Sequence, residues 1–144
     1  MLMMNSPDVG FSAEIAMLRM LRAGKDRPNV MVMNRHASVE RVVAQLTTVC
    51  QTPIVVRRFP GSLDLPSVVN GTLVLADIDR LTIAQQISLS DWLWHTREDI
   101  QIVSIARAPM MELIAEGRFL EGLYYRLNTI VLRTVDGHDF NATW

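Results

Sequence analysis

Five short apolar runs recur along this chain, separated by stretches of helical spacing. That alternation constrains the fold more than any other feature. The runs are NVMVM (29–33), PIVVRRF (53–59), TLVLADI (72–78), IQIVSIA (100–106) and LNTIVLRT (127–134). Each has the length and β-branched content of a strand, and TLVLADI is continuous enough to be buried on both faces. Ser12 is placed to cap a helix to about Ala23, with Ile15, Leu18 and Leu21 inward and Gly24 as its stop. Ser38 is placed to cap a second helix, whose Val39, Val42, Val43, Leu46 and Val49 make one apolar face. A third helix is expected over 82–96, and a fourth is framed by Pro109 at its start and Gly117 at its end. Strands that alternate with helices predict a three-layer α/β fold: a five-stranded parallel sheet with helices on both faces. Such sheets bind ligands at the carboxyl ends of their strands.

The remaining segments set the boundaries. PGSLDLPSVVNG (60–71) reads as a loop from its proline and glycine content, and VDGHDFNATW (135–144) as a turn and a loose tail. A chain of 144 residues with 49% hydrophobic and 20% charged residues supports one globular domain. The formal charge of −1 argues against a general polyanion binder. Cys50 is the only cysteine, so no disulfide can form within the chain and a cytoplasmic home is expected. The apolar start MLMMNSPD is too short for a signal peptide, and no apolar run is long enough to cross a membrane.

The stretch AEGRFLEGLYYRLN (115–128) resembles the arginine-finger segment of the bacterial enhancer-binding activators, whose text there is approximately AEGRFREDLYYRLN. These are the AAA+ ATPases that remodel sigma-54 RNA polymerase. NGTLVLADIDRL (70–81) resembles their Walker B strand, GGTLFLDEIGEL. IQIVSIARAPMMELIAEG (100–117) resembles their sensor strand and following helix, VRVIAATNRDLEELVAEG. VGFSAEIAMLRML (9–21) is similar to their opening VGxSxxMxxL, and NVMVMNRHASVERVVAQL (29–46) takes the place of VLITGESGTGKELVARAI. The resemblance covers about residues 9–133 and is strongest from 70 onward. It implies a P-loop NTPase core with strand order 2-3-4-1-5, as an AAA+-like domain over 9–134 behind a flexible 1–8.

The departures from that family bear on chemistry. A phosphate-binding loop uses glycines so that backbone N–H groups can approach phosphates, and a lysine to neutralise them. The corresponding positions here are Asn34, Arg35, His36, Ala37, Ser38, Val39 and Glu40. There is no glycine, and the lysine position holds an acid. Glu40 should lie in the first turn of its helix, where it favours the helix dipole and fills the anion site from within. The magnesium-organising aspartate corresponds to Ala76 and the water-activating glutamate to Asp77, a strand-end acid expected to be solvated. The sensor asparagine corresponds to Arg107. Of the two arginine fingers, the first corresponds to Leu120 and the second to Arg126, for which a surface salt bridge is expected. The GAFTGA loop that grips the sigma factor is replaced by the short 60–71 interval; the helical lid and the DNA-binding helix-turn-helix are missing.

Other constellations are weaker. His36, His95 and His138 lack ligand spacing, so no metal site is expected. Trp92 and Trp94 lie two apart on a helix, so one should pack inward and the other face out. Arg35, His36, Arg41, Arg57 and Arg58 are candidates for a basic cluster at strand ends. Tyr124, Phe119, Leu120, Leu123 and Leu127 form an apolar stripe at helical spacing. Phe119, Leu120 and Trp94 are candidate anchors of a reduced subunit interface. The expectation is a sigma-54-activator-like AAA+ domain without ATP hydrolysis, cofactor or metal. It would dock on a protein partner, an AAA+ activator or another transcription component, as a monomer or small oligomer, with neither DNA nor membrane as a direct partner. The alternative is a divergent domain that holds ATP weakly through Arg35, His36 and Arg107; a folded remnant without a role is the third reading.

Overall fold

The structure is a computed structural model and describes residues 28–35, 37–67, 70–96 and 100–134. The expected 12–23 helix, the 1–8 terminus, the 135–144 tail, His36 and His138 lie outside the described residues. The strands are β1 (Val30–Met33), β2 (Ile54–Arg58), β3 (Gly71–Ala76), β4 (Ile100–Ala106) and β5 (Ile130–Arg133). Between them run the helices α1 (Val39–Thr47), α2 (Ile83–His95), α3 (Met110–Ala115) and α4 (Glu121–Leu127). All strand pairs are parallel, and the sheet order is β2-β3-β4-β1-β5. Both features match the expectation.

The central strands β1, β3 and β4 are buried along their whole length. Their side chains alternate between two cores, as the two-residue period of a strand requires. Met31, Met33, Leu73, Leu75 and Ile102 join Leu89 and Leu93 of α2, Leu113 of α3, and Leu123 and Leu127 of α4. Val30, Val32, Val74, Val103 and Ile105 meet Val39, Val42 and Leu46 of α1. Among the described residues one helix therefore covers one face and three cover the other, giving three layers.

Two local readings are corrected. The third strand ends at Ala76, because Asp77 turns into the left-handed region (φ 58, ψ 48) and a 3-10 turn follows over Ile78–Arg80. An aspartate tolerates that conformation better than most side chains. The fourth helix ends at Gly117 as expected: α3 stops at Ala115, Gly117 takes φ 73, and α4 begins after Leu120. Ser38 stands at the N-cap position of α1 but makes no side-chain cap. Its hydroxyl donates to Oε1 of Glu40 at 2.8 Å, a charge-assisted bond within the first turn. A full capping box does form at α2, where Oγ1 of Thr82 accepts from the Gln85 N–H and the Gln85 side chain accepts from the Thr82 N–H, both at 3.1 Å.

Candidate functional site

The carboxyl ends of β1, β3 and β4 bring Asn34, Arg107, Asp77 and, from the first turn of α1, Glu40 to one end of the sheet. The loop after β1 is held by side chains from within. Asn34 is buried. Its backbone N–H donates to the Ala106 carbonyl at 2.8 Å, and its Nδ2 donates to the Ala37 carbonyl at 3.0 Å. Its Oδ1 accepts from the Thr134 hydroxyl at 3.0 Å. One residue thus fastens the loop to the end of β4 through its backbone and to the end of β5 through its side chain.

Arg107 lies across the same loop. Its Nη1 donates to the Arg35 carbonyl at 3.2 Å and its Nη2 to the Ala37 carbonyl at 3.0 Å, while its backbone N–H donates to Oδ1 of Asp79 at 3.1 Å. Two loop carbonyls therefore point at a guanidinium. A loop that cradles phosphate turns N–H groups inward; these two groups have the opposite polarity and hold a cation.

The acids at this end are paired. Nη1 of Arg58 donates to Oε2 of Glu40, and Nε of Arg58 lies 3.7 Å from Oδ2 of Asp77. The hydrogen bond from Arg58, followed by that from the Ser38 hydroxyl, lowers the Glu40 pKa from 4.5 to about 2. The same contact with Glu40 raises the Arg58 pKa. Glu40 lies in the first turn of α1 as expected, but its carboxylate turns to Arg58 and Ser38. The Asp77 side chain is only 14% exposed, so it is a partly buried, paired acid and not a solvated one. Ala76 is buried in the core.

The basic cluster is dispersed. Arg58 serves Glu40 and Asp77, whereas Nε of Arg57 donates to the Asp64 carbonyl at 2.8 Å and its Nη2 lies 3.6 Å from Oδ2 of Asp64. Arg35 and Arg41 are engaged as well. His95 is exposed, with its Nδ1 2.8 Å from the Asp91 carbonyl oxygen and 3.8 Å from Oδ1 of Asp91 on its own helix. Among the described residues no group of three or more His, Cys, Asp and Glu side chains is placed to hold a metal. No helix of the described residues is long and apolar enough to cross a membrane.

Both arginine-finger positions are used inside the chain. Arg126 makes no salt bridge among the described residues; its Nη2 donates to the Leu93 carbonyl at 3.0 Å and its Nη1 to the Ser90 carbonyl at 3.5 Å. It thereby caps the carboxyl end of α2, where the helix dipole favours a cation. Its guanidinium also stacks 5.1 Å from the Trp94 ring. Leu120 packs against the core, and Phe119 is buried. Of the three expected interface anchors only Trp94 is exposed, at 76%; Trp92 packs inward, as its spacing from Trp94 requires.

The residue that sequence reasoning missed is Gln86. It is fully buried in α2. Its Nε2 donates to the carbonyls of Leu81 at 3.2 Å and Arg118 at 3.0 Å, and its Oε1 accepts from the Leu120 N–H at 2.8 Å. The signal was available: Gln86 falls on the inward face with Leu89 and Leu93, and a buried amide needs partners.

A parallel sheet in the order 2-3-4-1-5, with a loop after its first strand leading into a helix, is the core of the P-loop NTPases. Within that class, the chain belongs to the family of the sigma-54 interaction domain, whose model matches residues 23–136. Solved structures agree on the fold. The P-loop NTPase domain of the "Sigma-54 transport activator" from E. coli is 19% identical with a TM-score of 0.58; the match covers 87% of this chain and 98% of that one. NtrX from Brucella abortus in complex with ATP is 17% identical with a TM-score of 0.65, over 88% of this chain. NtrX in complex with ADP is 19% identical with a TM-score of 0.61, over 87% of this chain. This chain spans 36% of the NtrX chain in either complex. No curated protein matches this chain in sequence.

Proposed function

We propose that this sigma-54-activator-like AAA+ domain has lost ATP hydrolysis and acts as a protein-interaction module in transcription regulation. The observation that carries the reading is Arg107, whose guanidinium is bound to the carbonyls of Arg35 and Ala37. A phosphate at that loop would have to displace a bound cation and then face two carbonyl oxygens. Glu40 adds a negative charge where the family has a lysine, and Ala76 offers no carboxylate to a magnesium ion. The residues present do not fit ATP with magnesium. The alternative, weak ATP binding through Arg35, His36 and Arg107, would use a guanidinium already committed to the loop. With the finger positions Leu120 and Arg126 engaged inside the chain, a nucleotide-dependent ring is not expected, and the chain works as a monomer or small oligomer.

Titration calorimetry and thermal melting with ATP and magnesium test the loss. At millimolar ligand no heat of binding and no rise in Tm are expected, since a ligand far below its dissociation constant adds almost no stability. Glu40→Lys alone should not restore binding, because Arg107 still holds the loop. Saturable ATP binding by the native chain would refute the reading. The interaction role is tested by co-sedimentation with the purified AAA+ domain of an intact sigma-54 activator; a complex that forms with or without ATP is the expected result.

A further inference from the structure

A cleft of about 500 Å³ opens on the face covered by α2 and α3, with Leu81, Ala108, Leu113 and Pro60 among its lining. That volume falls within the range of ligand-binding clefts. Arg80, Thr82 and Arg118 complete its rim, and Asp79 is its single acid. One carboxylate oxygen of Asp79 already accepts the Arg107 N–H at 3.1 Å. Arg80 is exposed and engages no acid among the described residues. Arg118 lies 3.3 Å from Glu116, with both side chains more than half exposed. An exposed pair of this kind contributes little and exchanges readily for another carboxylate.

The walls of the cleft are fixed by side-chain bonds to the backbone. Gln86 ties the Leu81 carbonyl to the Arg118 carbonyl through one buried Nε2, so the two segments that carry Arg80 and Arg118 keep their separation. Gln85 donates from Nε2 to the Gly61 carbonyl at 2.8 Å and holds the Pro60 wall against the start of α2. The opening is preformed, which lowers the ordering cost of binding. Two cationic groups over an aliphatic floor match carboxylates interleaved with aliphatic side chains. The formal charge of −1 on the whole chain and the acid within the lining disfavour a polyanion such as nucleic acid.

We propose that this cleft docks an acidic-aliphatic peptide segment of a partner protein. Carboxylates engage Arg80 and Arg118, and an aliphatic side chain rests on Leu81 and Leu113. The inference rests on the protein-interaction reading above. Fluorescence polarisation with a fluorescein-labelled peptide of alternating aspartate and leucine is the test, at low salt. Saturable binding is expected, weakened at least about tenfold by the double variant Arg80→Glu/Arg118→Glu. Both guanidinium groups are exposed, so circular dichroism and Tm of the variant should match the parent chain. Binding that fails to saturate at millimolar peptide, or that survives the double variant, overturns the proposal. Competition by inorganic phosphate as effective as that by unlabelled peptide also overturns it, because a bare anion does not use the floor. The native chain separates this site from the broader reading: an activator complex in co-sedimentation without peptide binding refutes the cleft alone, and absence of both refutes the interaction reading as well.

Discussion

Replacing Gln86 by methionine removes three hydrogen bonds while nearly keeping the side-chain volume. The Leu120 N–H loses its acceptor at 2.8 Å, and the carbonyls of Arg118 and Leu81 lose their donor at 3.0 and 3.2 Å. The thioether supplies no donor. A buried group left unsatisfied costs about 1–3 kcal/mol. The Leu120 N–H and the Arg118 carbonyl bear most of this, so the expected loss is about 3 kcal/mol. For a chain of this size that corresponds to a fall in Tm of roughly 6–12 °C. Urea unfolding followed by far-UV circular dichroism gives the free energy directly. Gln86→Glu keeps the acceptor for Leu120 but directs a carboxylate at two carbonyls, so it should be worse than methionine at neutral pH. Its folded-state pKa would be raised, so the stability of this variant should be greatest below the ordinary carboxylate pKa of about 4.3 and be lost as pH rises through the folded value. A methionine variant within about 0.5 kcal/mol of the parent would refute the reasoning, since it would mean that the three bonds contribute nothing net.

Two further outcomes follow from the geometry. Gly71 opens β3 at φ +81, and a Cβ there would lie 2.1 Å from the Pro53 carbonyl oxygen. Gly71→Ala combines left-handed strain with a backbone clash and should cost about 3 kcal/mol or more in urea unfolding; an effect below about 1 kcal/mol would contradict that close approach. Glu40 has its pKa lowered from 4.5 to about 2, chiefly by Arg58. A depressed carboxylate stabilises the fold above its unfolded pKa and loses that contribution as pH falls through the folded value. The stability difference between the native chain and Glu40→Gln should therefore be full above about pH 5, shrink toward pH 2, and diminish with added salt. A difference that is constant over that interval would show that the pair with Arg58 does not form in solution.

The sheet was legible because its strands are continuous apolar runs bounded by turn residues, and the resemblance to the family supplied their order. The end of α3 at Gly117 was legible, but the start of α4 was harder to read. Phe119, Leu120, Leu123, Tyr124 and Leu127 keep helical spacing across it, and periodicity alone cannot show that the first two belong to a turn pinned by Gln86. The positions of Arg107, Arg126 and Glu40 were also readable, but their partners were not. Arg107 and Arg126 bond backbone carbonyls about 70 and 33–36 positions away in sequence. Every residue carries such a carbonyl, so only the packed chain decides which one is reached. The fate of Asp77 was misread for the same reason: its partner Arg58 comes from the neighbouring strand, and a strand-end acid is solvated only if no such neighbour exists.

The linked contacts around the loop after β1 make its positions interdependent. Glu40, Arg58 and Asp77 form a chain of opposite charges, and Arg107 closes the loop beside it. A lysine returned to position 40 would stand against Arg58, two like charges in place of an ion pair. An asparagine returned to position 107 would strand the carbonyls of Arg35 and Ala37 without their present donor. A carboxylate returned to position 76 would enter a core in which Ala76 is 1% exposed. Each change made alone forfeits a contact of the present chain, so substitutions at positions 40, 58, 77 and 107 are expected to act non-additively.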